Sequence, residues 1–476
     1  MNKFYITTAI PYVNGAPHIG HAYEFVITDT IARYHRLNQD ETLLLTGADE
    51  NALKNVQAAE KLGITTQQLC DQNSQKFKEL FKVLNAQYDV FQRSSDQKTH
   101  WPGAQKLWQL CSESGDIYKK SYQGLYCVSC ELFYIPSELI NNLCPVHKTK
   151  PEEVEEENYF FKLSKYQDQI LKSIKSDEIK IFPEFRKNET LSFIKQGLED
   201  ISISRSNERA KDWGVPVPND PTQRIYVWFD ALDIYQTGIG FGTDEEKYNQ
   251  WWPADLHVIG KDIFRFHTVY WPAILLSAKL KLPKSILIHG FLNIGGEKMS
   301  KTLGNIIDPF DFINNLKRNG VELAADALRY YLLTQPIFDD GDFSEEKFKE
   351  IYNANLANGL GNLVARVARL CEQNNITASD GSNVWCADLE KYMGEFKFNE
   401  AIAVIWQLIT EADKKINAEK PWELKGEKLK VVLEDLVKRI QAIGFNLQPF
   451  LPQTAEKILK QFSEKIKSTK PLFPRI

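Results

Sequence analysis

FYITTAIPYVNGAPHIGHAYEFVITDTIARYHRLNQDETLLLTGADE, residues 4–50, decides the fold class. Its opening FYITTAI alternates and is rich in β-branched residues, which reads as a strand. PYVNGAPHIGHA follows, with the Pro and Gly punctuation of a loop. A helical pattern runs from Ile19 to about Leu37. The apolar run Thr42 to Leu45 then reads as a buried strand ending in the loop TGADE. Strand, helix, strand at this spacing is a βαβ unit and predicts a parallel sheet.

The rhythm breaks from about Gly115 to Arg205, a stretch that holds three clustered cysteines and the acidic run PEEVEEEN. We read it as an insertion between two halves of one α/β domain. The rhythm resumes with RIYVWFD and LHVIG, both read as strands, then a helix near Phe264 to Leu280. SILIHGF reads as another strand, ending in the glycine-rich loop NIGGEKMSKTLGN. Residues 345–470 are rich in Lys, Glu, Leu and Ala with 3.6-residue periodicity, which predicts a helical bundle. The expected organisation is 1–114 and 206–295 as two halves of a Rossmann-like α/β catalytic domain. Residues 115–205 are the insertion, 296–344 a linking region that begins at the KMSKT loop, and 345–476 the helical domain.

The whole chain has 476 residues, enough for about three domains at roughly 150 residues each. Hydrophobic residues make up 43% and charged residues 25%, which is globular usage and excludes a disordered or fibrous chain. No apolar run approaches the roughly 20 residues of a membrane span, and the N-terminus lacks the apolar core of a secretory signal. We therefore expect a cytoplasmic protein with no membrane partner. The net charge of −5 excludes a whole-chain basic signature. From Glu411 to Ile476, however, basic residues outnumber acidic ones, so a local polyanion contact is open beside the plainer reading of a solvated surface. Seven cysteines, an odd count, argue against a disulfide framework.

Four motifs carry chemistry. His18-Ile19-Gly20-His21 starts a helix, where two imidazoles three residues apart share one face. A helix N-terminus suits phosphate. Taken by itself the motif is weak and reads more readily as two surface histidines at a helix start. Lys298-Met299-Ser300-Lys301-Thr302 lies on a loop with Gly295, Gly296 and Gly304, and two lysines there can neutralise charge on a leaving pyrophosphate. Cys127-x-x-Cys130, thirteen residues, then Cys144-x-x-His147 is two chelating pairs on a short loop. That spacing fits one tetrahedral zinc, and four protein ligands make it structural. LANGLGNLVAR sets Asn358, Asn362 and Arg366 four residues apart on one helical face, with Trp422 in a later helical region.

HIGH followed by KMSKT in an interrupted α/β chain resembles the class I aminoacyl-tRNA synthetases, in which the two elements bind ATP and stabilise adenylation. Thr302 stands where that family usually has Ser, and the hydroxyl is kept. The zinc knuckle, ENYFFKLSKY, SRSNERAKDWGVPVP, YVWFDAL, VIGKDIFRFHTVYWPA and PLFPRI extend the resemblance, over essentially the whole chain, to the methionyl-tRNA synthetases of the single-knuckle type. The resemblance implies a ligase that makes methionyl adenylate from L-methionine and Mg-ATP, then charges tRNA(Met). It implies catalytic and ATP-binding roles for His18, His21, Lys298 and Lys301, with Gly20, Met299 and Ser300 also at the nucleotide. It places Ile10, Tyr12, Trp228, Ala231, Leu232, Tyr235, Ile263 and His267 at the methionine side chain, and Asp49 at its ammonium. It assigns Asn358, Asn362, Arg366 and Trp422 to the CAU anticodon, which suits side chains that hydrogen-bond and stack on splayed bases. One departure stands out: Asn51-Ala52 replaces the family's usual His-Gly, which puts the local loop shape in doubt.

Two other readings stay open. A class I synthetase for cysteine or a branched aliphatic amino acid is one. An insertion of this size is too small for the editing domain of the aliphatic enzymes, and the cysteine enzyme keeps its zinc at the catalytic site. A tRNA-binding paralogue without charging activity is the other, favoured slightly by Asn51-Ala52. With no appended dimerisation module after the helical domain, a monomer is expected.

Overall fold

The structure is a computed structural model that describes every residue except 1, 129–131, 135, 146–147, 298–305, 379–380 and 382–383. The chain separates into two compact units. One comprises Met1–Pro17, Gln39–Glu79 and Tyr88–His289; the other comprises His18–Asn38, Leu80–Gln87 and Gly290–Ile476.

The first unit is built on a six-stranded sheet. Its strands are β1 (Lys3–Thr7), β2 (Glu41–Ala48), β3 (Val90–Arg93), β4 (Lys180–Phe182), β5 (Leu256–Gly260) and β6 (Ser285–His289). They lie in the order β3-β2-β1-β5-β6-β4, and every pairing is parallel. Their interiors are near-continuous apolar runs, such as Leu43 to Leu45 and Ile286 to Ile288, all buried. A parallel sheet covered on both faces requires this. The strand order runs outward from β1 through β2 to β3 on one side and from β5 to β6 on the other, with β4 added at the far edge. The gap between β1 and β5 is therefore the topological switch point, and the loops leaving their C-terminal ends form the crevice where open α/β sheets bind ligands.

Within the inserted stretch an antiparallel sheet forms instead. Ile117–Cys127 pairs with Glu152–Phe161 along a ladder from Ile117 opposite Phe161 to Tyr126 opposite Glu152. The acidic run is thus a strand, which buries Val154 and Asn158 and leaves Glu153 and Glu155 exposed.

The reading of RIYVWFD as a strand needs correction. The strand is Asp220–Ile225, and Val227–Thr237 is a helix. All eleven of its residues are buried. Burial on every side erases the apolar period that marks a surface helix, so a β-branched and aromatic run imitates a strand.

The second unit contains the Ile19–Leu37 helix and, after Gly290, a predominantly helical region. The helix Phe398–Glu419 buries Ala401, Ile402, Ile405, Ile409, Ala412 and Ile416, a stripe at three- and four-residue spacing. Arg329 of the helix Ala324–Leu333 forms a fully buried ion pair with Asp29 at 2.7 Å. Its guanidinium also donates to the carbonyls of Phe450 at 2.8 Å and Pro449 at 3.0 Å. Those extra acceptors offset the desolvation of a buried charge, and they fix the Ile19–Leu37 helix to the rest of its unit. Among the described residues, no helix is long and apolar enough to cross a membrane.

Candidate active site

At the switch point the loop after β1 brings Ile10 and Tyr12 to the end of the sheet. Tyr12 makes a parallel bridge to Asp49, and the Asp49 amide donates to the Pro11 carbonyl at 2.9 Å. Asn55 donates to the Asp49 carbonyl at 3.0 Å. The backbone carrying the Asp49 carboxylate is therefore held from both sides, and the residue is 1% exposed.

The Val227–Thr237 helix supplies the neighbouring wall. Trp228 stands edge-on to Tyr12, with centroids 6.2 Å apart, and stacks flat on Phe266 at 3.6 Å. Ala231, Leu232 and Tyr235 follow on the same helix and are buried. Ile263 and His267 come from the turn after β5, where a 3-10 turn Lys261–Ile263 runs into a π-helix Phe266–Tyr270. Every position expected around the amino-acid side chain and ammonium lies in this unit.

The polar centre of this wall is defined by tautomer. Nδ1 of His267 lies 3.0 Å from the Ile263 carbonyl, which can only accept, so Nδ1 carries the proton. Nε2 is then an acceptor, and the Tyr235 hydroxyl donates to it at 2.8 Å. Burial pushes the His267 pKa down to about 4, so the ring is neutral at physiological pH. His257, whose Nδ1 is 2.8 Å from the Thr7 hydroxyl, packs on Tyr235 at 4.4 Å and is also pushed well down by burial. Sequence reasoning misses His257; its signal is a lone imidazole inside the apolar strand LHVIG.

Behind the Asp49 loop lies a second buried polar group. Glu50 accepts from Ser74 at 2.6 Å, from Arg93 at 2.7 Å and from Ser95. The Asn51 amide donates to the Ser94 carbonyl at 2.9 Å and to the Asp230 carboxylate at 2.6 Å. Asp230 also meets Nε2 of His100 at 2.5 Å. Burial opposes charge on His100, but the Asp230 carboxylate outweighs it and raises the pKa. Ala52 precedes the Leu53–Leu62 helix with φ −75° and ψ 141°, an ordinary conformation for an L-residue. The loop therefore has no position that demands the glycine usual in the resembled family, and Asn51 has its own partners.

In the second unit His18 is the N-cap of the Ile19–Leu37 helix. Its Nδ1 accepts from the Gly20 amide at 3.1 Å, while Nδ1 of His21 accepts from the His18 amide at 3.1 Å. The pair is a capping box made of two imidazoles, with centroids 3.9 Å apart. Because each Nδ1 accepts, the proton of each neutral ring is on Nε2. Lys298, Met299, Ser300, Lys301, Thr302 and Gly304 lie outside the described residues. Just before them, Gly295 and Gly296 take φ of 62° and 77° in a tight turn, and the Gly296 amide donates to Asp342 at 2.9 Å.

Of the expected zinc ligands, Cys130 and His147 also lie outside the described residues. Cys127, at the end of its strand, and Cys144 are both buried and pack in one small cluster with Tyr134. The Lys148 amide donates to the Cys144 carbonyl at 2.9 Å. Two soft sulfur donors in one dry cluster fit zinc.

In the helical region Asn358 sits in a π-helical stretch, Tyr352–Gly361, and Asn362 and Arg366 in the helix Asn362–Gln373. Asn358 and Asn362 are exposed. Arg366 donates to Asp413 and to Asn417, each at 3.2 Å. Asn417 lies one turn before the short 3-10 helix Pro421–Glu423, whose Trp422 is 55% exposed. That exposure is unusual for a large aromatic side chain.

A family profile described as "tRNA synthetases class I (M)" matches residues 4–138 and 133–368. The methionine–tRNA ligase of Thermotoga maritima is 40% identical over 98% of this chain and 76% of its own length. That of Rhizobium meliloti is 42% identical over 96% and 91%. A solved structure of Mycobacterium tuberculosis methionyl-tRNA synthetase in complex with methionyl-adenylate superposes with a TM-score of 0.91. It has 37% identity and covers 100% of both chains.

The chain belongs to the methionyl-tRNA synthetases. Its mixed α/β fold with a parallel sheet and a helical C-terminal region is the fold of that family, and it is a ligase.

Proposed function

We infer that this enzyme activates L-methionine with ATP and transfers it to tRNA(Met). The observation that carries the specificity is the neutral Tyr235–His267 couple in an otherwise apolar, aromatic slot at the switch point. A thioether is polarizable, packs against aromatic edges and accepts only weak hydrogen bonds. The walls of Tyr12, Trp228 and Phe266 suit it, and none of the residues expected at the thioether carries a charge that would favour a polar side chain. Asp49, fixed by its backbone, holds the substrate ammonium and sets the amino acid's orientation.

In the first step a methionine carboxylate oxygen attacks the α-phosphorus of ATP. The bond to the bridging oxygen of the β-phosphate breaks and pyrophosphate leaves. Mg accompanies ATP as its counter-ion. The Nε2–H groups of His18 and His21 donate to phosphate oxygens, and Gly20 lets the nucleotide approach the backbone. Lys298 and Lys301 neutralise the pyrophosphate that leaves, with Met299 and Ser300 on the same loop. In the second step a hydroxyl of the terminal tRNA adenosine attacks the acyl carbonyl and AMP leaves. No side chain forms a covalent intermediate; positioning and electrostatics carry the rate.

Cys127, Cys130, Cys144 and His147 would hold one zinc, which supplies a cross-link between the two ends of the knuckle and no reaction step. Asn358, Asn362, Arg366 and Trp422 read the anticodon. The proposal extends to a monomeric, cytoplasmic enzyme.

ATP–pyrophosphate exchange with each of the twenty amino acids tests the reading. Exchange with methionine alone is expected. Exchange with cysteine or a branched aliphatic amino acid instead would overturn the pocket assignment, and none with any would point to a non-charging paralogue.

A further inference from the structure

Arg475 and Arg369 are two cations that the reading of the anticodon face leaves without a task. The segment Phe473 to Ile476 is strapped onto the π-helical stretch that carries Asn358. The Tyr352 hydroxyl donates to the Pro474 carbonyl at 2.7 Å. Asn353 pairs with Ile476 in both directions, its amide donating to the Ile476 carbonyl at 2.8 Å and its oxygen accepting from the Ile476 amide at 3.1 Å. Phe473 is buried edge-on against Tyr352.

The strap thereby presents Arg475, which is exposed. Its Nε donates to Oδ1 of Asn358 at 2.8 Å. A guanidinium only donates, so the Asn358 oxygen must face it and the Asn358 amide nitrogen turns elsewhere. Among the described residues, no carboxylate pairs with Arg475.

Arg369 lies on the helix Asn362–Gln373, three residues beyond Arg366 and on the same face as Asn362. It is exposed and likewise has no carboxylate partner among the described residues. Glu372, the nearest acid along the helix, is engaged by the Ser468 amide at 3.2 Å and the Ser468 hydroxyl at 2.5 Å. Arg366, by contrast, is already committed to Asp413. The row therefore runs from an unneutralised guanidinium at Asn358, through Asn362 and Arg366, to a second at position 369. At 1.5 Å per residue the two ends are about 16 Å apart along the axis.

We propose that Arg475 and Arg369 are phosphate anchors that bracket this face and grip the backbone of a single-stranded RNA loop while the residues between them read bases. Phosphate contacts fix register and carry no sequence information. Pinning Nε to Asn358 pre-orients the two terminal nitrogens of Arg475, the geometry that a bidentate phosphate contact uses. The inference rests on the reading of Asn358, Asn362 and Trp422 as RNA contacts.

The test is binding of tRNA(Met) to the full chain over a salt series. Arg475→Gln and Arg369→Gln are each expected to weaken binding about five- to ten-fold, and to reduce the slope of log affinity against log salt by about 0.7 per lost contact on a single strand. ATP–pyrophosphate exchange and the melting temperature should not move. Arg475→Lys keeps the charge and should keep most of the slope. Trp422→Ala serves as the reference. If it weakens binding while both Gln variants keep wild-type affinity and slope, the anchors are wrong and the face stands. If neither Trp422→Ala nor the Gln variants matter, the face itself is wrong. A loss in Arg475→Gln that appears equally as a lowered melting temperature would make the arginine a structural clasp and also overturn the proposal.

Discussion

The Tyr235 hydroxyl donates to Nε2 of His267 across 2.8 Å, and the Ile263 carbonyl on the opposite side of the ring fixes the direction of that bond. The couple places one neutral hydroxyl oxygen and one neutral ring in a slot walled mainly by apolar and aromatic side chains. In the proposed pocket, recognition of the amino-acid side chain, as distinct from its ammonium, then depends on this hydrogen bond and not on a charge.

Tyr235→Phe removes the donor and leaves Nε2 buried with nothing to accept. Without the donor the ring is free to leave its substrate-facing pose, and restoring that pose on binding, at about 1–1.5 kcal/mol, is about ten-fold in affinity. Exchange kinetics should show the methionine KM up by that factor with the ATP KM unchanged. A fall in kcat at constant methionine KM would place the couple away from the substrate.

The Asn51-Ala52 departure makes a different prediction. Ala52 already occupies an ordinary backbone region, so Ala52→Gly gains no strain relief and loses conformational restriction of the unfolded chain. Urea unfolding should show a loss of about 0.4–1 kcal/mol, with methionine kinetics unchanged. Asn51→Ala strips a donor from the buried Asp230 and should cost more, about 1–3 kcal/mol.

Much of this architecture is legible in the amino-acid sequence alone. Residues 4–50 announce a parallel sheet because an alternating strand and a periodic helix leave different spacings. The paired imidazoles are legible as a helix start because capping is local, and the fold adds that each ring caps through Nδ1. Val227–Thr237 imitates a strand because a helix buried on all sides has no polar face to set its period. His100, His257 and Asp233 escape notice for a related reason. His257 and Asp233 are each flanked by apolar neighbours, His100 is one more polar residue after Lys98 and Thr99, and where such a residue has a partner that partner is distant in sequence, as with His100 and Asp230. The residues expected at the methionine site come from four separate segments that no spacing rule joins, so resemblance to a family assigns them where periodicity cannot.

The knuckle should behave as a metal-dependent fold. Purified enzyme is expected to contain one zinc per chain by atomic emission, and Cys127→Ser or Cys144→Ser to lose it. The readout besides activity is limited proteolysis. Cleavage between Cys127 and Cys144 should accelerate in both variants and in chelated wild type, because a structural zinc contributes folding energy locally. Metal-free protein with the wild-type cleavage pattern would rule this out.

Asp233 sets a pH dependence of stability. It is fully buried, and neither of its oxygens has a hydrogen-bond partner among the described residues. Burial pushes its pKa up to about 7, with His100 opposing and Asp230 adding to the rise. The folded state thus holds a proton that the unfolded carboxyl releases near its ordinary pKa of about 3.9. Between those two values the native state binds more protons, so this group's contribution to stability falls as pH rises, levelling off above about 7. His267 works the other way: with a folded pKa of about 4 against an ordinary value of about 6.5, it costs stability as pH falls through that interval. Asp233→Asn keeps the shape and removes only the first effect. Thermal melts should show the variant more stable than wild type at pH 8, with the difference shrinking steadily towards pH 4. A constant offset across that range would mean that Asp233 does not titrate there, and that its carboxyl finds a partner in solution.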